Sequence, residues 1–386
     1  MSTFQYDVSS LYDLTDAFSQ PIYFEIFISL TLWTLWFLAV VGNILVIIIF
    51  VRDRVLRNKV ANRYILNLAV ADLLVGLNSL TIKNIWRYYG NWPFGEFVCK
   101  MYVILDYSAV CQSAFAIMLI SFDRYLLVTK ELAYGKYQTK RTGWILISTT
   151  WTVSLILFGL PVLLYEPLTE DPIIKPYHIT CYLEVSYLTD YNVAILVLTF
   201  IIPVTTLVFF NLSVFVNIYR RSRGLVRSRT LTLPESTSNS VDEQWASPRA
   251  RQGPGPLPDL NPTSDPGGGG AAVSPGNSVR LPEGSTRKAP QKMLSYRRHY
   301  KAAVTLTLLV SMFLLCATPL FVFKCMLAFS GNDHDWIWWN MVDYMTWANS
   351  ALNPFLYAVT NPRIRAGYKS ILCFWRKTPP ARTLVL

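Results

Sequence analysis

Charge is what this sequence has least of. Only 15% of its 386 residues are Asp, Glu, Lys or Arg, while 52% are hydrophobic; a soluble domain carries roughly 25% charged residues. The scarcity is concentrated. Residues 26–50, 143–165, 191–219 and 302–323 contain no charge, and 64–82, 101–122 and 336–360 contain one acid each, Asp72, Asp106 and Asp343. Roughly 20 apolar residues in a helix cross a bilayer, and closed helices satisfy their own backbone polar groups in lipid. The expected fold is therefore an all-α membrane protein, a bundle of seven transmembrane helices.

Histidine is nearly absent. His178, His299 and His334 are scattered outside the apolar runs, so no nucleophile–base set is assembled and an enzyme is disfavoured. There is no repeated half with broken helices, which argues against a transporter. Cysteine is sparse as well. Cys111 and Cys316 fall inside spans as small packing residues. Cys99 begins span three and Cys181 sits in the loop between spans four and five, both on the side where disulfides form. Cys325 lies near the outer end of span six, and Cys373 follows span seven.

Where charge does occur, it is mostly positive and placed in alternate loops. Segments 51–63, 124–141, 220–301 and 361–386 hold thirty of the 35 Lys and Arg residues, which places them in the cytoplasm. The net charge of +11 thus reports topology and contact with anionic lipid, not nucleic acid. The expected organisation is an extracellular tail (1–21), five spans with their loops (22–221), a third cytoplasmic loop (222–290), spans six and seven (291–360), and a cytoplasmic end (361–386). The loop includes "GPGPLPDLNPTSDPGGGGAAVSPGNS", which cannot bury enough apolar area to offset its ordering entropy and is expected to be disordered. The basic sequences at its two ends are expected to continue helices five and six. After span seven, "NPRIRAGYKSILCFWRK" alternates base and apolar residue at helical spacing. It reads as a short amphipathic helix on the inner leaflet, with Cys373 open to palmitoylation.

Polar groups inside spans are costly and mark function. Asp72, Ser113, Asn349 and Asn353, with Asn43 nearby, would form an oxygen-lined cavity suited to sodium, with Asp72 and Ser113 as ligands. The alternative is an interhelical hydrogen-bond network. Asp106 and Asp343 lie in the outer parts of spans three and seven.

In order along the chain stand "GN" at 42–43, "NLAVAD" at 67–72, "DRY" at 123–125, Trp151, Pro203, Pro319 and "NPFLY" at 353–357. With this spacing and topology the chain resembles the rhodopsin-like G-protein-coupled receptors over nearly its whole length. The resemblance implies a plasma-membrane location with the N-terminus outside, a Cys99–Cys181 disulfide, and coupling to a heterotrimeric G protein, with arrestin and receptor kinases as further partners. Asp123 would hold Arg124, which with Tyr125, Phe313 and Tyr357 forms the switch toward the G protein.

An acid eighteen residues before the motif Arg marks the receptors for small amines, and Asp106 holds that place. Span three and "WANSALNPFLY" are most similar to the histamine receptors of subtypes three and four, which implies an inhibitory G protein. The ligand residues implied are Asp106, Tyr107, Val110, Thr199, Leu320, Phe321, Asp343, Tyr344 and Trp347. No cofactor is expected beyond an allosteric sodium ion.

The sequence also departs from that branch. Thr199 stands where the histamine receptors use an acid, and Ala317 replaces the usual Trp two residues before Pro319. His299 stands where an acid often restrains the motif Arg. Asp343 is an added acid, four residues from Trp347 and hence on the same face. Either a diamine bridges it to Asp106, or Lys83 or Lys324 pairs with it. These departures also leave room for a receptor of the same fold, orphan or constitutively active, that does not answer histamine.

Overall fold

The computed structural model describes residues 22–169, 181, 189–231, 288–330 and 336–373, and every regular element among them is helical. Helix α1 spans Ile22–Arg52, α2 Val60–Tyr89, α3 Gly95–Thr129 and α4 Lys140–Thr169. Helix α5 is built from Thr189–Leu196, Val197–Ile201 and Ile202–Leu231 in succession. Helix α6 is Lys288–Ser330, α7 Trp336–Thr360 and α8 Pro362–Leu372. Each expected apolar run lies within one of α1–α7. By length and composition, six of these helices are apolar enough to cross a membrane. Helix α7 is more polar, carrying Asn340, Asp343, Asn349 and Asn353; it completes the seven-helix bundle.

The chain divides into two compact units, Met1–Arg220 with Tyr296–Leu386, and Arg221–Ser295. The Gly- and Pro-rich part of the segment between α5 and α6, like residues 1–21, lies outside the described residues. So does the side chain of His299.

Apolar residues cover these helices on all sides, as expected of helices in lipid. Phe27, Trp33 and Phe37 on α1 and Phe209 and Phe215 on α5 point outward. Helix α3 is the axis of the bundle: 72% of its most apolar stretch is buried, against 17% for α5. It packs against α2 and α4, and Trp151 of α4 donates to Asn67 of α2 at 2.9 Å. Helices α1 and α7 meet at Gly42, where an added Cβ would come within 2.8 Å of Pro354.

Among the described residues, two stretches depart from the α-helical repeat. Val75–Leu80 in α2 and Val197–Ile201 in α5 are wound in wider, π-helical turns. Such turns insert a residue, rotate the face of the following helix, and recur at functional sites. Here they carry Ser79 and Thr199. No feature of the apolar periodicity announces them.

Helix α8 starts sharply. The Asn361 side chain accepts from the amides of Arg363 and Ile364, with Pro362 as the first helical residue. Ile364 is fully buried against the core around Ile49, and Cys373 is exposed just beyond the helix end.

Candidate functional site

Helical spacing puts Tyr107, Val110 and Ser113 of α3 on one face, and all three line a cavity within the bundle. Its wall includes Phe158 of α4, Ile195 and Thr199 of α5, Ala317, Leu320, Phe321 and Lys324 of α6, and Thr346, Asn349 and Ser350 of α7. Its volume is about 60 Å³. Ala317 lines it with only a methyl group, and the cavity reaches to Ser113, Asn349 and Ser350. Phe321 stacks on Phe200 with ring centres 3.9 Å apart. The Thr199 hydroxyl donates to the carbonyl of Ile195 at 2.7 Å.

Of the residues expected to bind ligand, Tyr107, Val110, Thr199, Leu320 and Phe321 line this cavity, while Asp106, Asp343, Tyr344 and Trp347 do not. Asp106 accepts hydrogen bonds from Ser79 at 2.5 Å and from the Trp347 indole at 3.2 Å. The Tyr344 hydroxyl donates to Asn340, and its ring leans on Trp347 at 6.0 Å. Asp343 interacts electrostatically with both Lys83 and Lys324, and both lysines also act on Asp106. The two lysines therefore bring positive charge to the surroundings of both carboxylates. Lys324 Nζ stands 5.2 Å from the Tyr107 ring centre, and Lys83 Nζ 4.9 Å from that of Trp86. The Cys99–Cys181 disulfide is formed, with 5.6 Å between Cα atoms. It is buried with Trp92 and Tyr102 near the N-terminal end of α3.

One layer deeper, Asp72 is fully buried and accepts from Ser113 at 3.0 Å, Ser350 at 2.9 Å and Asn353 at 2.8 Å. Asn349 reaches Ser113 at 3.4 Å. Asn43 donates instead to the carbonyls of Ala39 and Ser350. Ser350 is thus a member of this network that sequence reasoning missed. The carbonyl oxygens of the Asn43, Asn349 and Asn353 side chains are buried without a hydrogen-bond partner. A carboxylate with neutral oxygens to spare is the donor chemistry a hard monovalent cation requires, so the residues fit sodium.

Near the C-terminal end of α3, Arg124 lies 3.4 Å from the fully buried Asp123. The other oxygen of Asp123 accepts from Tyr134 at 2.7 Å. Tyr134 sits in a single turn, Tyr134–Tyr137, between α3 and α4. Burial and the negative charge of Asp123 hold its phenol well above the usual range, so it remains a donor. Tyr125 stacks on Phe210 of α5, 5.2 Å between ring centres. Phe313 and Tyr357 are buried in the central core, and the Tyr357 hydroxyl has no hydrogen-bond partner. Tyr134 was invisible in the sequence, since a tyrosine eleven residues past the Asp carries no periodic signal.

Residues 42–357 match the 7 transmembrane receptor (rhodopsin family). Similar proteins include the histamine H4 receptor of Rattus norvegicus, 26% identical over 94% of this chain and 96% of that receptor. The D(1A) dopamine receptor of Didelphis virginiana is 28% identical over 89% of this chain and 72% of its own length. The D(1B) dopamine receptor of Xenopus laevis is 28% identical over 92% and 71% respectively. A bundle of apolar helices with a Cys99–Cys181 clasp, an Asp–Arg pair ending α3 and a family match over most of the chain leave no place for an enzyme: this multi-pass membrane protein belongs to the rhodopsin family of seven-transmembrane receptors.

Proposed function

We propose that this receptor binds a small ligand carrying an ammonium group beside Asp106 and passes the signal to a heterotrimeric G protein of the inhibitory class. Asp106 carries the reading. It is an acid in an apolar bundle, oriented by Ser79 and Trp347, and one of its oxygens accepts neither of those bonds. An ammonium reaching that oxygen in a low-dielectric setting gains a charge-assisted hydrogen bond. Similarity to histamine and dopamine receptors supports the same ligand chemistry. The receptor sits in the plasma membrane with its N-terminus outside and the basic loops in the cytoplasm. The chemistry around Asp72 supports an allosteric sodium ion held by Asp72 and Ser113; when bound, it supplies a positive charge at the base of the ligand cavity. Arrestin and receptor kinases are the further partners, and Cys373 is the palmitoylation site.

The test is a G-protein dissociation assay on the full chain in cells, first without ligand and then against an amine panel that includes histamine and dopamine. Asp106→Asn should abolish every amine response at unchanged surface expression, and a retained dose–response curve refutes the assignment. A constitutively active receptor is the second reading, favoured by Lys83 and Lys324 acting on both carboxylates. It requires high activity in the ligand-free arm that the panel does not raise.

A further inference from the structure

The charge facing the cavity has the opposite sign from the one an amine alone calls for. Among the described residues lining it, the charged side chain is Lys324, held 5.2 Å from the ring centre of Tyr107. Asp106 is hydrogen-bonded toward α2 and α7 by Ser79 and Trp347 and does not line the cavity. Asp343 stands off the lining as well, with Lys83 and Lys324 both acting on it. At their formal charges, the two carboxylates and two ammonium groups sum to zero. A monoamine entering this set adds an uncompensated positive charge near Lys324, which is costly where water is scarce. A ligand carrying both an ammonium and a carboxylate adds none, and gives Lys324 an acceptor. The apolar and aromatic wall formed by Val110, Phe158, Leu320 and Phe321 suits a compact hydrophobic body.

We propose that the site takes a small zwitterion, an amino acid with an apolar or aromatic side chain, its carboxylate on Lys324 and its ammonium on the Asp106–Asp343 side. This rests on the reading of the same site as ligand-binding and names its ligand class.

The experiment uses matched pairs that differ by one carboxylate: histamine with histidine, tyramine with tyrosine, and phenethylamine with phenylalanine. Each is applied to cells expressing the full chain, and G-protein dissociation is recorded. The amino acid of at least one pair should act at a concentration about tenfold or more below its amine, the scale of one charge-assisted hydrogen bond. Lys324→Met should reverse that preference, and Lys324→Arg should retain it. If Lys324→Met fails to reach the surface, the ratio in the unmodified receptor decides alone. Amines preferred in the unmodified receptor, with a ratio that Lys324→Met leaves unchanged, overturn the zwitterion and leave the amine reading standing. Silence toward both members of every pair, with surface expression verified, removes both.

Discussion

Tyr134→Phe should raise the activity of the receptor in the absence of any ligand. Asp123 is fully buried; one oxygen accepts from the Tyr134 hydroxyl at 2.7 Å, and the other lies 3.4 Å from Arg124 without a hydrogen bond. The phenylalanine keeps the ring and removes one donor. A hydrogen bond to a charged acceptor contributes about 1.5–3 kcal/mol, and losing it destabilises the arrangement in which Asp123 holds Arg124. If the competing arrangement lacks the bond, the equilibrium moves by roughly 10- to 150-fold. The readout is basal G-protein dissociation at matched surface density. A second arm, Asp123→Asn with and without Tyr134→Phe, measures the coupling: in the Asn background the tyrosine acts on a neutral acceptor, and its removal should matter about half as much. Basal activity unchanged within about twofold in Tyr134→Phe, where at least about tenfold is expected, refutes the idea that this bond restrains Arg124.

Three further outcomes are expected. Histamine should be a weak agonist at best, because the Thr199 hydroxyl is already donated to Ile195; Thr199→Glu should raise histamine potency, and nanomolar potency in the unmodified receptor contradicts this. Ser350→Ala removes a 2.9 Å bond to buried Asp72 and should cost about 1.5–3 kcal/mol, read as a lower thermal midpoint in detergent; an unchanged midpoint removes Ser350 from the network. Gly42→Ala drives a methyl to within 2.8 Å of Pro354 and should cost about 1–3 kcal/mol by overpacking the α1–α7 contact, whereas an equally stable variant shows that the helices can part there.

The spans were legible in the sequence because their signal is local. A run of about 20 residues without charge has few fates other than a membrane helix, and each of the seven runs became one. The cap of α8 at Asn361 and Pro362 was local too, as were the motifs from Asn43 to Tyr357 that placed the chain in its family. What the sequence could not decide is which faces meet. Asp106 was identified as an anchor, but its donors Ser79 and Trp347 lie 27 and 241 residues away. The first of them is presented by π-helical turns that no periodicity announces. Ser350 joined Asp72, and Asn43 turned to backbone carbonyls instead, because the rotation of each helix about its axis sets which residues meet across a contact. Lys324 was anticipated as a partner of Asp343, but its place in the cavity wall is a property of α3, α6 and α7 together. Sequence patterns on each helix determined that polar groups would be buried; only the packing of the helices decided which of them pair, and therefore the sign of the charge that a ligand meets.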